Sequence, residues 1–369
     1  MNRPIYVTKP FLPPLEEYTE SLRKIWGSGI LTNGGPFHDA FEASLAKHLG
    51  VEHVSLVCNA TIGLILALQA LRIEGEVITT PYTFVATAHS LLWTNNTPVF
   101  VDIDPVTLNL DPCQIEAAIT PHTRAILPVH CYGNPCAVEQ IQEIADNYNL
   151  RVIYDAAHAF GVEHRGQSVL KLGDVSVLSF HATKMFNTFE GGAIISPDAK
   201  TKRRIDKLKN FGFVSETVVA ASGINGKMSE VSAAMGLLQL DYADHVRQRR
   251  QAVDARYRQG LEGLAGIEFL HYHADTTANF AYFPIFVGDD APIDRDNLHD
   301  RLRQRNIFTR RYFYPIVPDL QIYKRFEATV GNQLSVARNK ANQVLCLPIY
   351  PDLGDDEQDA IIANIRKAF

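Results

Sequence analysis

From about residue 51 to 200, short apolar runs alternate with longer stretches in which apolar residues recur every three or four positions. The runs Val54–Val57, Val77–Thr80, Val99–Asp102, Ala125–Pro128, Val152–Asp155 and Val175–Phe180 predict buried strands. Thr61–Leu71 and Val138–Tyr148 predict the clearest helices between them. Strands alternating with helices imply an α/β fold, with a mostly parallel sheet covered on both faces. In such sheets ligands collect beyond the carboxyl ends of the strands. Attention therefore falls on Asn59–Thr61, Pro81–Phe84, Asp102, His130, Asp155 and Ser179–Lys184.

The flanking pattern differs. Leu15–Trp26 and Phe37–Leu49 predict two helices that pack on the large domain or supply an interface. Met228–Leu264 is strongly helical, and Arg247–Arg250 fits a solvated face of it. After Gly266 come short strands, turns marked by proline and a final amphipathic helix, Asp355–Phe369. A chain of 369 residues exceeds what one core usually serves. The texture change predicts a large domain over 1–245 and a smaller α+β domain over 246–369.

Composition adds exclusions. A hydrophobic content of 46% with 21% charged residues describes a globular chain with ample core material. The net charge of -6 argues against a nucleic-acid binder that relies on overall charge. The start lacks the apolar core of a signal peptide, and no run is long enough to span a membrane. Five scattered cysteines, Cys58, Cys113, Cys131, Cys136 and Cys346, read as reduced thiols in a cytoplasmic protein. Gly27-Ser-Gly29 lacks the third glycine of a dinucleotide fingerprint and does not follow a strand, which disfavours a nicotinamide oxidoreductase. His130 and Cys131 with Cys136 have no second ligand pair, so no metal site is expected.

Several strand-end residues carry candidate chemistry. Asp155 could hold a proton on a buried heteroaromatic nitrogen, or simply cap the next turn. Asn59-Ala-Thr61 opens a helix directly after a strand, which suits a phosphate, although a plain cap reads the same way. Phe84 could stack on a flat ring, or belong to the core. If the strand runs through residue 181, Ser179 and His181 share one face, with Lys184 on the loop beyond. A desolvated lysine there could form a Schiff base; an ion-paired or snorkelling lysine is the alternative.

Taken together, these fragments resemble the DegT/StrS-type sugar-nucleotide aminotransferases, fold-type-I pyridoxal phosphate enzymes. The resemblance covers nearly the whole chain. It rests on Phe41-Glu42, Asn59-Ala-Thr61, Thr83–Thr87, Val101–Asp104, Pro128–Gly133, Asp155-Ala-Ala-His158, Ser179–Lys184, Glu190-Gly-Gly192 and Asn225-Gly-Lys-Met228. Ile30–Asn33, Gly75–Thr80 and Lys184–Gly192 are most similar to members that make a 4-amino-4,6-dideoxyglucose nucleotide. The resemblance implies that Lys184 joins the cofactor, Asp155 pairs with its ring nitrogen, Phe84 stacks on the ring, and Ala60, Thr61 and Ser179 hold the phosphate. Asn225 would reach in from the partner of a homodimer that shares its active sites. His158 stands where many members have glutamine, and could bond the cofactor's phenolic oxygen.

The implied reaction transfers the amino group of L-glutamate to dTDP-4-dehydro-6-deoxy-D-glucose. It yields dTDP-4-amino-4,6-dideoxy-D-glucose and 2-oxoglutarate, a step in making amino sugars such as those of O-antigen lipopolysaccharide. Amination of a 3-keto sugar, or a non-catalytic regulator of the same fold, are the alternatives. Relatives with histidine at the lysine position are dehydratases; Lys184 sets this chain apart from them. His181, Glu190, Thr32, Asn33, Lys227 and the cluster Arg310-Arg311-Tyr312 are the substrate candidates, the arginines for the diphosphate. A solvated surface cluster is the other reading of those arginines. Phe189, where glycine is usual, and Gly226, where an aromatic is common, suggest a reshaped sugar pocket.

Overall fold

A computed structural model describes residues 3–324, 326 and 334–369. At its centre lies a seven-stranded sheet built from β1 (His53–Val57), β2 (Glu76–Thr79), β3 (Thr97–Phe100), β4 (Thr123–Leu127), β5 (Arg151–Asp155), β6 (Val175–Ser179) and β7 (Gly192–Ser196). The order across it is β1-β7-β6-β5-β4-β2-β3. Every pairing is parallel except the two that β7 makes with β1 and β6. All six expected strands are present, with ends displaced by at most two residues. β7 is an addition. Its five residues are all buried, but only Ala193, Ile194 and Ile195 form an apolar run between Gly192 and Ser196-Pro197, too short a signal to mark a strand.

The longer helices up to residue 261 are α1 (Leu15–Ser28), α2 (Pro36–Leu49), α3 (Ala60–Leu71), α4 (Val85–Trp93), α5 (Val138–Tyr148), α6 (Ala199–Leu208) and α7 (Glu230–Leu261). Strand alternation divides the core between the two faces. Val57, Val77, Ile153, Val177 and Ile194 meet α3 and α6. Leu56, Leu178, Ala193 and Ile195 meet Phe41 of α2 and Ala233 of α7. Ile126, Val152 and Tyr154 meet α5. Asp155 and Ser179 follow from this alternation: each continues the face covered by α3.

Local chemistry sets the helix ends. Pro36 opens α2, where a missing N–H costs nothing, and Gly50 closes it in the left-handed region. The buried Glu230 carboxylate accepts from the amides of Phe37 and His38 at 2.9 and 2.8 Å, tying the start of α7 to the start of α2. Gly236 lets the two helices touch, because a Cβ there would stand 2.4 Å from the Phe41 ring.

The 32-residue α7 changes partners along its length. Ala243 and Val246 join the core beneath α2, whereas Val253, Tyr257 and Leu261 join a second core. That second core backs an antiparallel sheet of β8 (Ile267–Phe269), β9 (Phe283–Val287) and β10 (Val344–Leu347). It includes residues of α8 (Arg295–Gln304) and α10 (Asp355–Arg366). Ile5 also belongs to it, since Ile5–Tyr6 pairs with Ile307–Phe308. A third aromatic cluster, with Tyr82, Tyr132, Phe286 and Phe313, joins the loops beyond β2 and β4 to the C-terminal part.

Candidate active site

A cavity of about 410 Å³ opens at the carboxyl ends of β1, β2, β5 and β6. This volume lies in the range of small-molecule sites. Among its walls are Ala60, Thr61, Phe84, Asp155, His158 and Ser179. His181, Lys184, Glu190 and Tyr312 also line it. Ten of the sequence candidates therefore converge on one space. A wider groove of about 550 Å³ runs beside α5, but its Arg165 is already paired with Glu139 at 2.7 Å. It lies away from the strand ends, so volume alone does not mark the site.

The strand-to-helix junction supplies hydrogen-bond donors. The Asn59 side chain accepts from the Ile62 amide at 2.9 Å, and the Asn59 carbonyl accepts from Gly63 at 3.0 Å. Ala60 and Thr61, at the first turn of α3, have amides with no carbonyl ahead of them in the helix. They face the cavity with the positive end of the helix dipole behind them. Ser179 ends β6 and accepts weakly from the His181 amide at 3.4 Å. The strand stops there rather than at residue 181, yet Ser179 and His181 still face the same cavity.

Asp155 ends β5 and is only 5% exposed. One oxygen accepts from the Thr87 hydroxyl at 2.7 Å, the other from the Ala157 amide at 3.1 Å. Burial raises its pKa, while the Thr87 and Ala157 bonds and the Lys184 charge pull it down. The turn-capping role and a cavity-facing carboxylate thus coexist. Asp102, also at a strand end, serves structure instead. It accepts from Val336 and Ala337, both at 2.9 Å, at the start of α9 (Ser335–Gln343).

His158 follows Asp155 in the next turn. Its Nδ1 accepts from the Tyr132 amide at 3.1 Å, so its hydrogen resides on Nε2. Its ring lies parallel to Phe313, with centroids 5.9 Å apart. Burial first, then the charge of Lys184, holds its pKa well below the usual histidine value. The residue is a neutral donor at physiological pH.

Lys184 lies beyond β6, half-buried. Its Nζ donates to the Tyr282 hydroxyl at 3.2 Å. Burial lowers its pKa to about 8, with Asp155 and Tyr312 opposing that fall. About a tenth of the amine is then uncharged at pH 7, far more than for an ordinary lysine, and that form is the one that attacks a carbonyl. Tyr282 escaped the sequence reading, because nothing near residue 282 signals a site that is 98 residues away in sequence.

Phe84 is 57% exposed, unusual for a core aromatic and apt for covering a flat ring. At the mouth, His181 Nε2 stands 3.5 Å from Glu190, and Phe189 packs edge-on against Tyr18. Phe84, Tyr312 and Phe313 also wall a second cavity of about 420 Å³ that contains Arg303, Arg310 and Arg311. Arg311 pairs with Asp296 at 2.7 Å and lies over the Tyr314 ring, whereas Arg310 is exposed. The backbone here is pinned, since the hydroxyls of Tyr82 and Tyr132 both donate to the Tyr312 carbonyl. Thr32, Asn33, Asn225 and Lys227 do not line the main cavity of their own chain. Asn225 is exposed, and Lys227 donates to Asn210 at 2.8 Å.

A lysine amine with a depressed pKa and a buried carboxylate share one cavity at the carboxyl edge of a mostly parallel sheet. That arrangement defines an enzyme that works on carbonyl compounds through an amine. The model of the DegT/DnrJ/EryC1/StrS aminotransferase family matches residues 15–366, and the chain belongs to that family. It is 54% identical to a dTDP-4-amino-4,6-dideoxy-D-glucose transaminase of Shigella dysenteriae, over the full length of both chains. It is 52% identical to an Escherichia coli protein of the same name, over 99% of this chain and 98% of the other. The crystal structure of DesI with its TDP-sugar product superposes with a TM-score of 0.94 at 39% identity, covering 100% of this chain and 93% of DesI. Among the described residues, no helix is long and apolar enough to cross a membrane.

Proposed function

We propose that this enzyme moves the amino group of L-glutamate to the C-4 keto group of dTDP-4-dehydro-6-deoxy-D-glucose, with pyridoxal 5′-phosphate as cofactor. The products are dTDP-4-amino-4,6-dideoxy-D-glucose and 2-oxoglutarate. The observation that carries this reading is that Lys184 and Asp155 line one cavity, in a chain 54% identical end to end to a transaminase of that name.

The residues present fit the cofactor. Its phosphate suits the amides of Ala60 and Thr61 and the Ser179 hydroxyl, its phenolic oxygen suits the Nε2–H of His158, and its ring suits the exposed face of Phe84. When bound, the cofactor supplies an electron sink for the carbon that loses its proton. Asp155 would hold a proton on the ring nitrogen, its carboxylate being buried and already fixed by Thr87 and Ala157. The Lys184 amine would be the group that accepts the proton of glutamate Cα and gives it back on the cofactor's side, and the same amine would serve the sugar half-reaction. His181 and Glu190, at the mouth, would meet sugar hydroxyls, and Arg310 and Arg311 the diphosphate.

In this reading residues 1–245 form the cofactor-binding domain and 246–369 the smaller one. The enzyme is a cytoplasmic homodimer in which Asn225 completes the partner's phosphate site. Thr32, Asn33 and Lys227, away from their own cavity, would likewise serve the partner's substrate. The test is a panel of nucleotide-linked 3- and 4-keto sugars incubated with glutamate, with products read by mass and NMR. Amination at C-4 of the dTDP-linked sugar is expected. Amination at C-3, or no product from any sugar, would refute the assignment.

A further inference from the structure

The Lys184 amine donates at 3.2 Å to a neutral phenol, that of Tyr282, rather than to a carboxylate. The backbone leading to Tyr282 is held by two buried side chains. Asn279, 1% exposed, donates to the carbonyls of His158 and Phe160 at 2.8 and 3.0 Å. Its side-chain oxygen accepts from the Ala281 amide at 3.1 Å. Arg250, on α7, is 2% exposed, contrary to the solvated face expected of Arg247–Arg250, and donates to the carbonyls of Phe280 and Ala281 at 3.3 and 3.2 Å. Among the described residues no carboxylate pairs with Arg250. Burying a guanidinium on carbonyls alone is costly. What it holds is the residue pair immediately before Tyr282.

We propose that Tyr282 is a catalytic residue that receives the Lys184 amine whenever the lysine is released from the cofactor, and that Asn279 and Arg250 are positioning residues for it. This rests on the aminotransferase reading above. A neutral partner suits this task. It fixes the direction of the amine yet adds no negative charge that would lock the proton on nitrogen. Burial keeps the phenol itself un-ionised by raising its pKa. The other titratable groups facing the amine are Asp155, His158 and Tyr312, with His181 and Glu190 at the cavity mouth and Arg250 behind Tyr282.

The test uses two readouts. In cofactor-free protein, the pH midpoint for modification of Lys184 by trinitrobenzenesulfonate is followed by peptide mass. In cofactor-loaded protein, the glutamate half-reaction is followed alone. Tyr282→Phe should lower the midpoint by about half a pH unit, because the hydroxyl accepts more strongly from the ammonium than from the amine. It should slow the half-reaction about five- to tenfold, the effect of one lost hydrogen bond. Unchanged midpoint and rate would overturn the proposal. Should Y282F fail to fold, 3-fluorotyrosine at 282 keeps the shape and weakens the acceptor, and the same comparison decides.

Arg250→Met separates positioning from charge. Removing a nearby cation would raise the midpoint, whereas loosening Tyr282 lowers it. A rise would overturn the role given to Arg250. If the wild type transfers nothing to any sugar, the proposed function fails, while the cofactor-free titration still decides the role of Tyr282.

Discussion

Replacing Lys184 by methionine should make the cofactor-free protein more stable at neutral pH. The amine is moved by burial from its ordinary value of 10.5 to about 8. At about 1.4 kcal/mol per pH unit, keeping it charged in place costs ~3 kcal/mol. Methionine fills similar space and removes that cost. Losing the 3.2 Å bond to Tyr282 takes back about 1 kcal/mol. The net expectation at pH 7 is a gain of about 2 kcal/mol. Its pH dependence has a definite sign. Between pH 8 and 10.5 the unfolded chain binds the proton more tightly than the folded one, so wild-type stability rises with pH across that window. By pH 9.5 the advantage of K184M should have shrunk by about 2 kcal/mol. Urea unfolding of both proteins at pH 7 and 9.5, without cofactor, measures it. A variant less stable than wild type at pH 7, or a difference that does not change with pH, would refute the reasoning.

Three other substitutions probe separate parts of the account. Phe84→Ala should weaken pyridoxal phosphate binding about five- to tenfold by equilibrium dialysis, with little change in Tm, since the ring is 57% exposed. Arg310→Ala should raise KM for the nucleotide sugar in steady-state assays and leave the glutamate half-reaction unchanged, because its cavity adjoins the lysine site without including it. Asp102→Ala should cost ~1–2 kcal/mol in urea unfolding, through loss of its bonds to the first turn of α9.

Asp102 and Asp155 show how far the sequence carries the argument. Both end apolar runs in the central sheet, at positions where ligands collect, although only Asp155 drew a chemical role from the sequence. Only Asp155 lines the cavity, because the amides of α9 occupy Asp102. That docking joins residues more than 230 positions apart, and no local pattern encodes it. The strands and the lysine loop were legible because burial and strand-end position leave a local trace. β7 was not, since its apolar run is only Ala193-Ile194-Ile195, bracketed by a Gly-Gly turn and Ser196-Pro197. The neutral tautomer of His158 was equally hidden, as it depends on the Tyr132 amide. Phe189 adopts a left-handed backbone, with φ of 64°, at the place where glycine is usual by resemblance. Its packing on Tyr18 of α1 explains what the ring touches, whereas the sequence showed only that it was unusual.

The central claim is that Lys184 relays an amino group from glutamate to a nucleotide-linked keto sugar. Incubating the cofactor-loaded enzyme with ¹⁵N-glutamate and dTDP-4-dehydro-6-deoxy-D-glucose tests it most directly, with the sugar product weighed by mass spectrometry. The account predicts that ¹⁵N appears in the sugar with wild-type protein and is lost with Lys184→Ala. Label in the sugar at equal rate with the variant, or none with the wild type, would contradict it.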